Sequence, residues 1–362
     1  MLKREALPRF DIPGFGVCLK PDSSAVSKEK SEKYLEDTVA FLISELVGEA
    51  FALETNIEQE GNFSIRISKI PSPDLPTYSM TVDEGVFRWI YDALYVVLSN
   101  NNVFAGLGMS TEEFKIPTLE VPNWYSLDIA MACFEKQVLF DAARMDLHNF
   151  LYNVILSFIL RHEMRHIANG HIGYLLNNKR DTFNENTNNG LSALDSQTME
   201  MDVDSCVFAG LLDGFLANPD HKSMMPVELQ DERGMLMTCL FTIQFLFYCL
   251  PSRKVSNLQD AQKNGHPNAF LRYFFCFTSG LSLLKDKYPS LTDQFAELGS
   301  TNFHTLLGNL HGMGLVDLDK IEADQQWTLS AEGMAYADSI WNNWDNWIPK
   351  LQSFCYLRLA GT

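Results

Sequence analysis

The chain has 362 residues, 46% of them hydrophobic, which is enough for one large domain or for two to three smaller ones. Its formal net charge is -18, and because an acidic surface repels phosphate, we expect no nucleic-acid binding. The seven scattered cysteines include no CxxC pair, which argues against a disulfide framework and against a cysteine-ligated zinc. A reducing compartment is favoured, and since the N-terminus lacks an apolar signal-peptide core, we expect a cytoplasmic protein.

The N-terminal third has the pattern of a small α+β unit. Residues 31–53 have the apolar spacing of an amphipathic helix. Alternation of apolar and polar residues predicts a strand over 63–70, and 78–82 is a second candidate strand. A helix is then predicted through Trp89 and Val97, followed by a loop over 100–125. We expect the edge of this sheet to bind an extended peptide by strand addition.

The next predicted helix, over residues 147–176, carries the motif His162-Glu163-Met164-Arg165-His166. Its two histidines lie four residues apart at the end of an apolar face, so both imidazoles can reach one tetrahedral zinc ion. Glu163 lies one step around the helix, where a general base can take a proton from water held by the metal. Chance would produce this pattern about 0.01 times in a chain of this composition. The alternative is a structural histidine pair.

A zinc hydrolase site needs a third protein ligand and an open coordination position. Glu200 is the favoured candidate, and Asp202 and Asp195 are its rivals. Asp204 follows Glu200 by one helical turn, so it can accept a hydrogen bond from a ligand histidine and fix that histidine's tautomer. The alternative is that these acids are solvated surface charges, but the apolar sequence after Asp204 favours a buried helix.

The residues after the motif exclude a metzincin. A metzincin has glycine three residues and histidine six residues after the second motif histidine, whereas this chain has Asn169 at plus three, Gly170 at plus four and His171 at plus five. We therefore expect His171 to lie beside the ligands rather than on the metal.

Two further segments flank the candidate site. The asparagine-rich stretch 177–197 is predicted to be a mobile loop or lid. Residues 235–250 carry no charge and would form a helix of about 24 Å, short of the roughly 30 Å hydrocarbon core of a bilayer. We interpret this segment as a buried central helix; membrane association is the less favoured alternative.

A third element, His266-Pro267 with Arg272 six residues after the histidine, completes an ordered set. The set resembles the gluzincin zinc peptidases, above all the group of the CAAX prenyl proteases and the bacterial heat-shock metallopeptidases. Soluble phage-exclusion (Lit-type) and prophage peptidases share much of this pattern. The resemblance covers about residues 145–280, and Met164 and Arg165 depart from the small or apolar residues that are common within the motif.

This resemblance implies a mostly α, α+β fold, in which a small sheet packs on a zincin-like motif helix. It implies Zn²⁺ bound by His162, His166 and Glu200. It also implies that His266 and Arg272 either hold substrate and stabilise an oxyanion, or pin the helices of the site.

The C-terminal region has a weaker pattern, in which residues 300–335 resemble the recognition helix and wing of a winged-helix module. Its acidic composition favours contact with protein over DNA. The stripe Trp341, Trp344 and Trp347 is expected to be core. The predicted division of the chain is therefore an N-terminal α+β part over 1–140, a metallopeptidase helical core over 141–285 and a helical, winged-helix-like region over 286–362.

Two functions remain open at this point. The leading hypothesis is a zinc peptidase that acts on peptide or protein substrates. The alternative is a regulatory or toxin-like zinc-binding protein that acts on a protein partner through the C-terminal region, with little or no general proteolysis.

Overall fold

A computed structural model describes residues 51–58, 63–72, 75–111, 140–177, 182–184, 191–249, 254–313 and 315–360. Most of these residues are helical and a few form one small sheet, which confirms the predicted fold class, α+β and mostly α. The helix predicted over 31–53 lies outside the described residues up to position 50, and its last two residues belong to a strand instead. Most of the loop predicted over 100–125 also lies outside the described residues.

Four strands form the sheet, in the order β1-β3-β2-β4: β1 (Ala52–Glu58), β2 (Ile65–Ile70), β3 (Thr77–Asp83) and β4 (Thr182–Asn184). β1 runs parallel to β3, and the other neighbours are antiparallel. The two predicted strands are confirmed as β2 and β3. The sequence did not predict the two edge strands. The loop predicted over 177–197 is wrong at β4 and from Ala193 onward, where a helix begins.

Helices make up the rest of the described fold. In chain order they are α1 (Glu84–Ser99), α2 (Ala142–Ala168), α3 (His171–Asn177), α4 (Ala193–Ala217), α5 (Pro219–Met224), α6 (Glu232–Cys249), α7 (Leu258–Ala261), α8 (Ala269–Lys287), α9 (Thr292–Gly312), α10 (Leu318–Thr328) and α11 (Ala331–Leu351). Short 3-10 turns occur at Val227–Leu229 and Pro289–Leu291.

The motif helix α2 is not continuous with the segment that follows it, contrary to the prediction of one helix over 147–176. It begins at Ala142, where the Asp141 side chain accepts a hydrogen bond from the Arg144 backbone N–H. It ends at Ala168, because Gly170 adopts a left-handed φ of 84° that reverses the chain into α3.

The apolar helix α6 lies in the core, with almost all of its side chains buried. The prediction of a buried central helix is therefore confirmed. No helix among the described residues is both long enough and apolar enough to cross a membrane.

The C-terminal region corrects the predicted wing. Residues expected to form its β-hairpin instead form α10, which begins where Asp317 accepts a hydrogen bond from the Lys320 backbone N–H. The tryptophan stripe is core at Trp344 and Trp347 but not at Trp341, which is 52% exposed. The boundary predicted at 286 falls inside α8.

The last helix belongs to the scaffold of the candidate site. α11 packs along α4, and its Trp347 indole N–H donates a hydrogen bond to Asp195 Oδ1 at 2.9 Å. Asn343 donates to the same oxygen and to Thr198 at the start of α4. The C-terminal helix thus fixes the helix that carries Glu200.

Candidate metal centre

Two helices bring three candidate ligand residues together. His162 and His166 extend from α2, and Glu200 extends from the neighbouring α4. The two Nε2 atoms lie 3.2 Å apart. Glu200 places Oε2 at 3.3 Å from His162 Nε2 and Oε1 at 3.4 Å from His166 Nε2. All three residues are buried, and they form the group of potential metal ligands found among the described residues.

These separations fit a metal ion. Ligand atoms at about 2.0–2.1 Å from a tetrahedral zinc ion lie about 3.3 Å from one another. The Nε2–Nε2 distance of 3.2 Å is close to that value, and so is the distance from each nitrogen to one oxygen of Glu200, 3.3 Å from His162 to Oε2 and 3.4 Å from His166 to Oε1. A His₂Glu set is also the ligand set of catalytic zinc in some peptidases, where a fourth position stays open.

The contact with Asp204 decides which ring nitrogen of His162 carries a hydrogen. His162 Nδ1 lies 3.0 Å from Asp204 Oδ1, and Asp204 is fully buried. Although burial raises the pKa of Asp204, the Arg272 guanidinium and His162 hold it below the ordinary value, so this carboxylate only accepts. Nδ1 of His162 therefore carries a hydrogen, and in the neutral ring Nε2 keeps its lone pair for a metal.

Without a metal, a proton is bound at Nε2 of His162. Burial lowers the pKa of His162, but the contacts with Asp204 and Glu200 outweigh burial and raise it to about 9. The pKa of Glu200 lies well below its ordinary value despite burial, because His266 and His166 are close. Glu200 Oε2 is buried with only long contacts, 3.3 Å to His162 Nε2 and 3.5 Å to His266 Nε2, and a cation bound there would satisfy it.

The other motif histidine has different surroundings. His166 Nδ1 lies 3.0 Å from Nδ1 of His171, on α3. Burial lowers the pKa of His166 to about 4 despite Glu200, so the ring is neutral at physiological pH, as a metal ligand must be. The reversal at Gly170 is what returns His171 to His166. His171 thus lies beside His166 and outside the group of candidate ligands.

The remaining predicted site residues surround this cluster. Glu163 lies on α2 between the two histidines and is 1% exposed. His266 precedes α8; its Nε2 is 3.5 Å from Glu200 Oε2, and its side chain is 30% exposed. Arg272, 16% exposed, donates two hydrogen bonds to Asp204 and lies 3.8 Å from Glu200. The open side of the cluster is therefore the side of His266.

The two rival ligands lie elsewhere. Asp195 lies in the first turn of α4, which Ser192 caps, and its carboxylate accepts hydrogen bonds from Ser192, Asn343 and Trp347. Asp202 lies behind His171, with Oδ2 accepting a 2.6 Å hydrogen bond from the Asn169 amide. The sequence analysis did not predict this contact. The signal for it was the Asn169-Gly170 pair, which is typical of a helix end and so of the chain reversal after α2.

Comparison with family models, with curated proteins and with solved structures gave no match for this chain.

Proposed function

We propose that the chain is a zinc-dependent peptidase, with Zn²⁺ held by His162, His166 and Glu200. One observation carries the proposal: the buried triangle of two imidazole nitrogens and the Glu200 carboxylate. The nitrogens lie 3.2 Å apart, and each has one carboxylate oxygen at 3.3 or 3.4 Å. A buried triangle of this size matches the ligand spacing of a tetrahedral ion. Glu163, next to His162 on the same helix, adds the general base that a hydrolase needs and a purely structural site does not.

The bound metal would polarise the scissile carbonyl and make water more acidic at neutral pH. Glu163 takes one proton from the attacking water, while the water oxygen forms a bond to the carbonyl carbon. Glu163 then gives that proton to the leaving amine as the C–N bond breaks, so the base is regenerated in each turnover. His266, on the open side, is the group that can donate a hydrogen bond to a substrate oxygen.

The same proposal places the enzyme in the reducing cytoplasm, where it would act on peptide or protein substrates. The described cysteines are free thiols, which fits that compartment. The strand β1 at the edge of the sheet remains the proposed surface for an extended peptide.

The decisive experiment measures metal and turnover separately. Purified wild type, Glu163→Gln and His162→Ala are analysed for zinc, iron and other metals by mass spectrometry, and for hydrolysis of casein and a random peptide library. Glu322→Gln, on an exposed position of α10, is the matched control. We expect zinc at about one ion per chain in wild type, Glu163→Gln and the control. Turnover should be lost in Glu163→Gln and retained in the control.

Three results would overturn parts of the proposal. Zinc that stays bound to His162→Ala refutes the ligand assignment. Iron in place of zinc refutes the metal, because two histidines and a carboxylate also suit non-haem iron. Zinc-loaded wild type that cuts no peptide refutes the peptidase and supports the alternative, a regulatory zinc-binding protein with a protein partner.

A further inference from the structure

Behind His166, on the side away from Glu200, a line of polar groups crosses the core. His166 Nδ1 is 3.0 Å from His171 Nδ1, and His171 Nε2 is 3.4 Å from Asp202 Oδ2. Asn169 fixes that oxygen with a 2.6 Å hydrogen bond from its amide. All four side chains are buried. Buried polar groups are costly unless they bond to one another, so this line requires an explanation.

If His166 binds a metal through Nε2, the tautomers along the line follow. A neutral ring that gives the Nε2 lone pair to a metal carries its hydrogen on Nδ1, so His166 Nδ1 is a donor. His171 Nδ1 must then accept and carry no hydrogen. The hydrogen of a neutral His171 is therefore on Nε2. Asp202 Oδ2 faces it at 3.4 Å, a contact longer than a well-formed hydrogen bond.

We infer that His171 and Asp202 are positioning residues that orient His166 for the metal, an assignment that rests on the proposed function. His166 contacts His171, which in turn contacts Asp202, whereas His162 contacts its carboxylate, Asp204, directly. Asp202 and Asp204 lie two residues apart on α4, so one helix supplies a ligand and the supports of both histidines. Both residues act through His166, and neither belongs to the group of candidate ligands.

Metal affinity tests this inference without any substrate. The variants are His171→Phe, which keeps an aromatic ring beside Trp344 but has no acceptor, and Asp202→Ala. His171→Gln is the rescue variant, because its amide offers both an acceptor and a donor. Asp213→Ala is the matched control: it removes a carboxylate from the same helix, where Asp213 is bound to Lys287 and Tyr288 at the surface.

Zinc Kd is measured by competition with a chromophoric chelator. We expect Kd to rise about 10- to 100-fold in His171→Phe and in Asp202→Ala, and to stay within about 3-fold of wild type in the rescue and control variants. Cobalt-substituted His171→Phe should also show shifted d–d absorption bands, because a reoriented imidazole changes the ligand field. Wild-type Kd and an unchanged cobalt spectrum in both variants would refute the positioning role of His171 and Asp202.

A direct measurement on the unmodified chain covers the case in which a variant does not fold. With ¹⁵N-labelled histidine in the zinc-loaded protein, two-bond ¹H–¹⁵N correlation spectra report which nitrogen carries hydrogen. We expect hydrogen on Nδ1 of His166 and on Nε2 of His171. Hydrogen on Nδ1 of His171 would overturn the positioning role of His171 and Asp202 but would not contradict the proposed zinc site. Failure of wild type to bind any metal would instead overturn the proposed function.

Discussion

Arg272 and Asp204 form a two-point contact between helices α8 and α4, with Nε 2.7 Å from Oδ2 and Nη2 2.8 Å from Oδ1. The guanidinium also lies 4.5 Å above the ring of Phe247 on α6. Asp204 in turn contacts His162, so Arg272, near the start of α8, fixes the position of a candidate ligand on α2. The paired hydrogen bonds suit positioning of the site better than direct contact with substrate.

The first prediction concerns this contact. Lysine keeps the charge of Arg272 but offers a point donor instead of a planar fork, so Arg272→Lys leaves part of the buried Asp204 carboxylate unsatisfied. We expect a loss of about 1–3 kcal/mol in the free energy of unfolding and a roughly 10-fold weaker zinc affinity. Urea denaturation of the metal-free chain and chelator competition measure the two effects.

Lys287→Met is the control for that variant. It breaks the partly exposed pair with Asp213, which joins the same two helices, α8 and α4. Such a pair contributes about 0–1 kcal/mol, and zinc affinity should not change. If both variants bind zinc as the wild type does, the Arg272–Asp204 contact has no role in the site.

The candidate ligands were predictable from sequence, whereas their supports were only partly so. The pairs His162–His166 and Glu200–Asp204 are each one helical turn apart, so local spacing alone places each pair on one face. The contact of His166 with His171 depends on the chain reversal at Gly170, and a continuous helix was predicted there. The edge strand β1 was missed because its two large apolar residues, Leu53 and Ile57, lie four apart, so its sequence lacks the period-two alternation of a strand.

A second prediction tests that reversal. At Gly170, φ is +84°, and a Cβ there would lie 2.8 Å from the backbone of both Phe354 and Cys355. Gly170→Ala therefore combines an unfavourable φ with a backbone clash, and we expect it to destabilise the chain by more than about 1 kcal/mol and to weaken zinc binding by moving His171. Thermal unfolding and zinc titration measure the two effects.

Gly210→Ala is the matched control for the reversal. Gly210 lies within α4, and a Cβ there meets nothing within 4 Å. Alanine in an open helical position should stabilise by up to about 1 kcal/mol. The two Gly→Ala changes thus have opposite expected signs. Equal stability of the two variants would contradict the assigned role of Gly170.

A third prediction concerns pH and Asp324 in α10. This side chain is fully buried, and burial raises its pKa to about 6, although the Val255 N–H donates a 2.7 Å hydrogen bond to Oδ1 and Lys320 and Lys254 are close. In the unfolded chain the carboxyl ionises near its ordinary value of 3.8. The folded state therefore holds an extra proton between about pH 4 and pH 6.

Because the folded state binds the extra proton, the free energy of unfolding falls as pH rises. The stabilisation is complete below the unfolded pKa and is lost as pH rises through the folded pKa, so the wild type loses up to about 3 kcal/mol relative to Asp324→Asn between pH 4 and pH 7. Asparagine can still accept from Val255 and does not ionise. Urea denaturation of both chains at matched pH measures the difference. A wild-type-minus-variant difference that does not change with pH would show that the pKa of Asp324 is not raised.

The last prediction separates His266 from the ligands. Its side chain is the most exposed of the groups around Glu200, and the 3.5 Å contact with Glu200 Oε2 puts it at the open edge of the triangle. If it donates to a substrate oxygen, His266→Ala should lower kcat/KM by about 10²-fold, mainly through kcat, while zinc Kd changes by less than about 3-fold. Glu200→Ala should instead abolish zinc binding, since it removes a ligand. His304→Ala, an exposed histidine on α9, is the control for both. Loss of zinc from His266→Ala would make His266 a metal ligand, and the open coordination position would then lie on another side of the cluster.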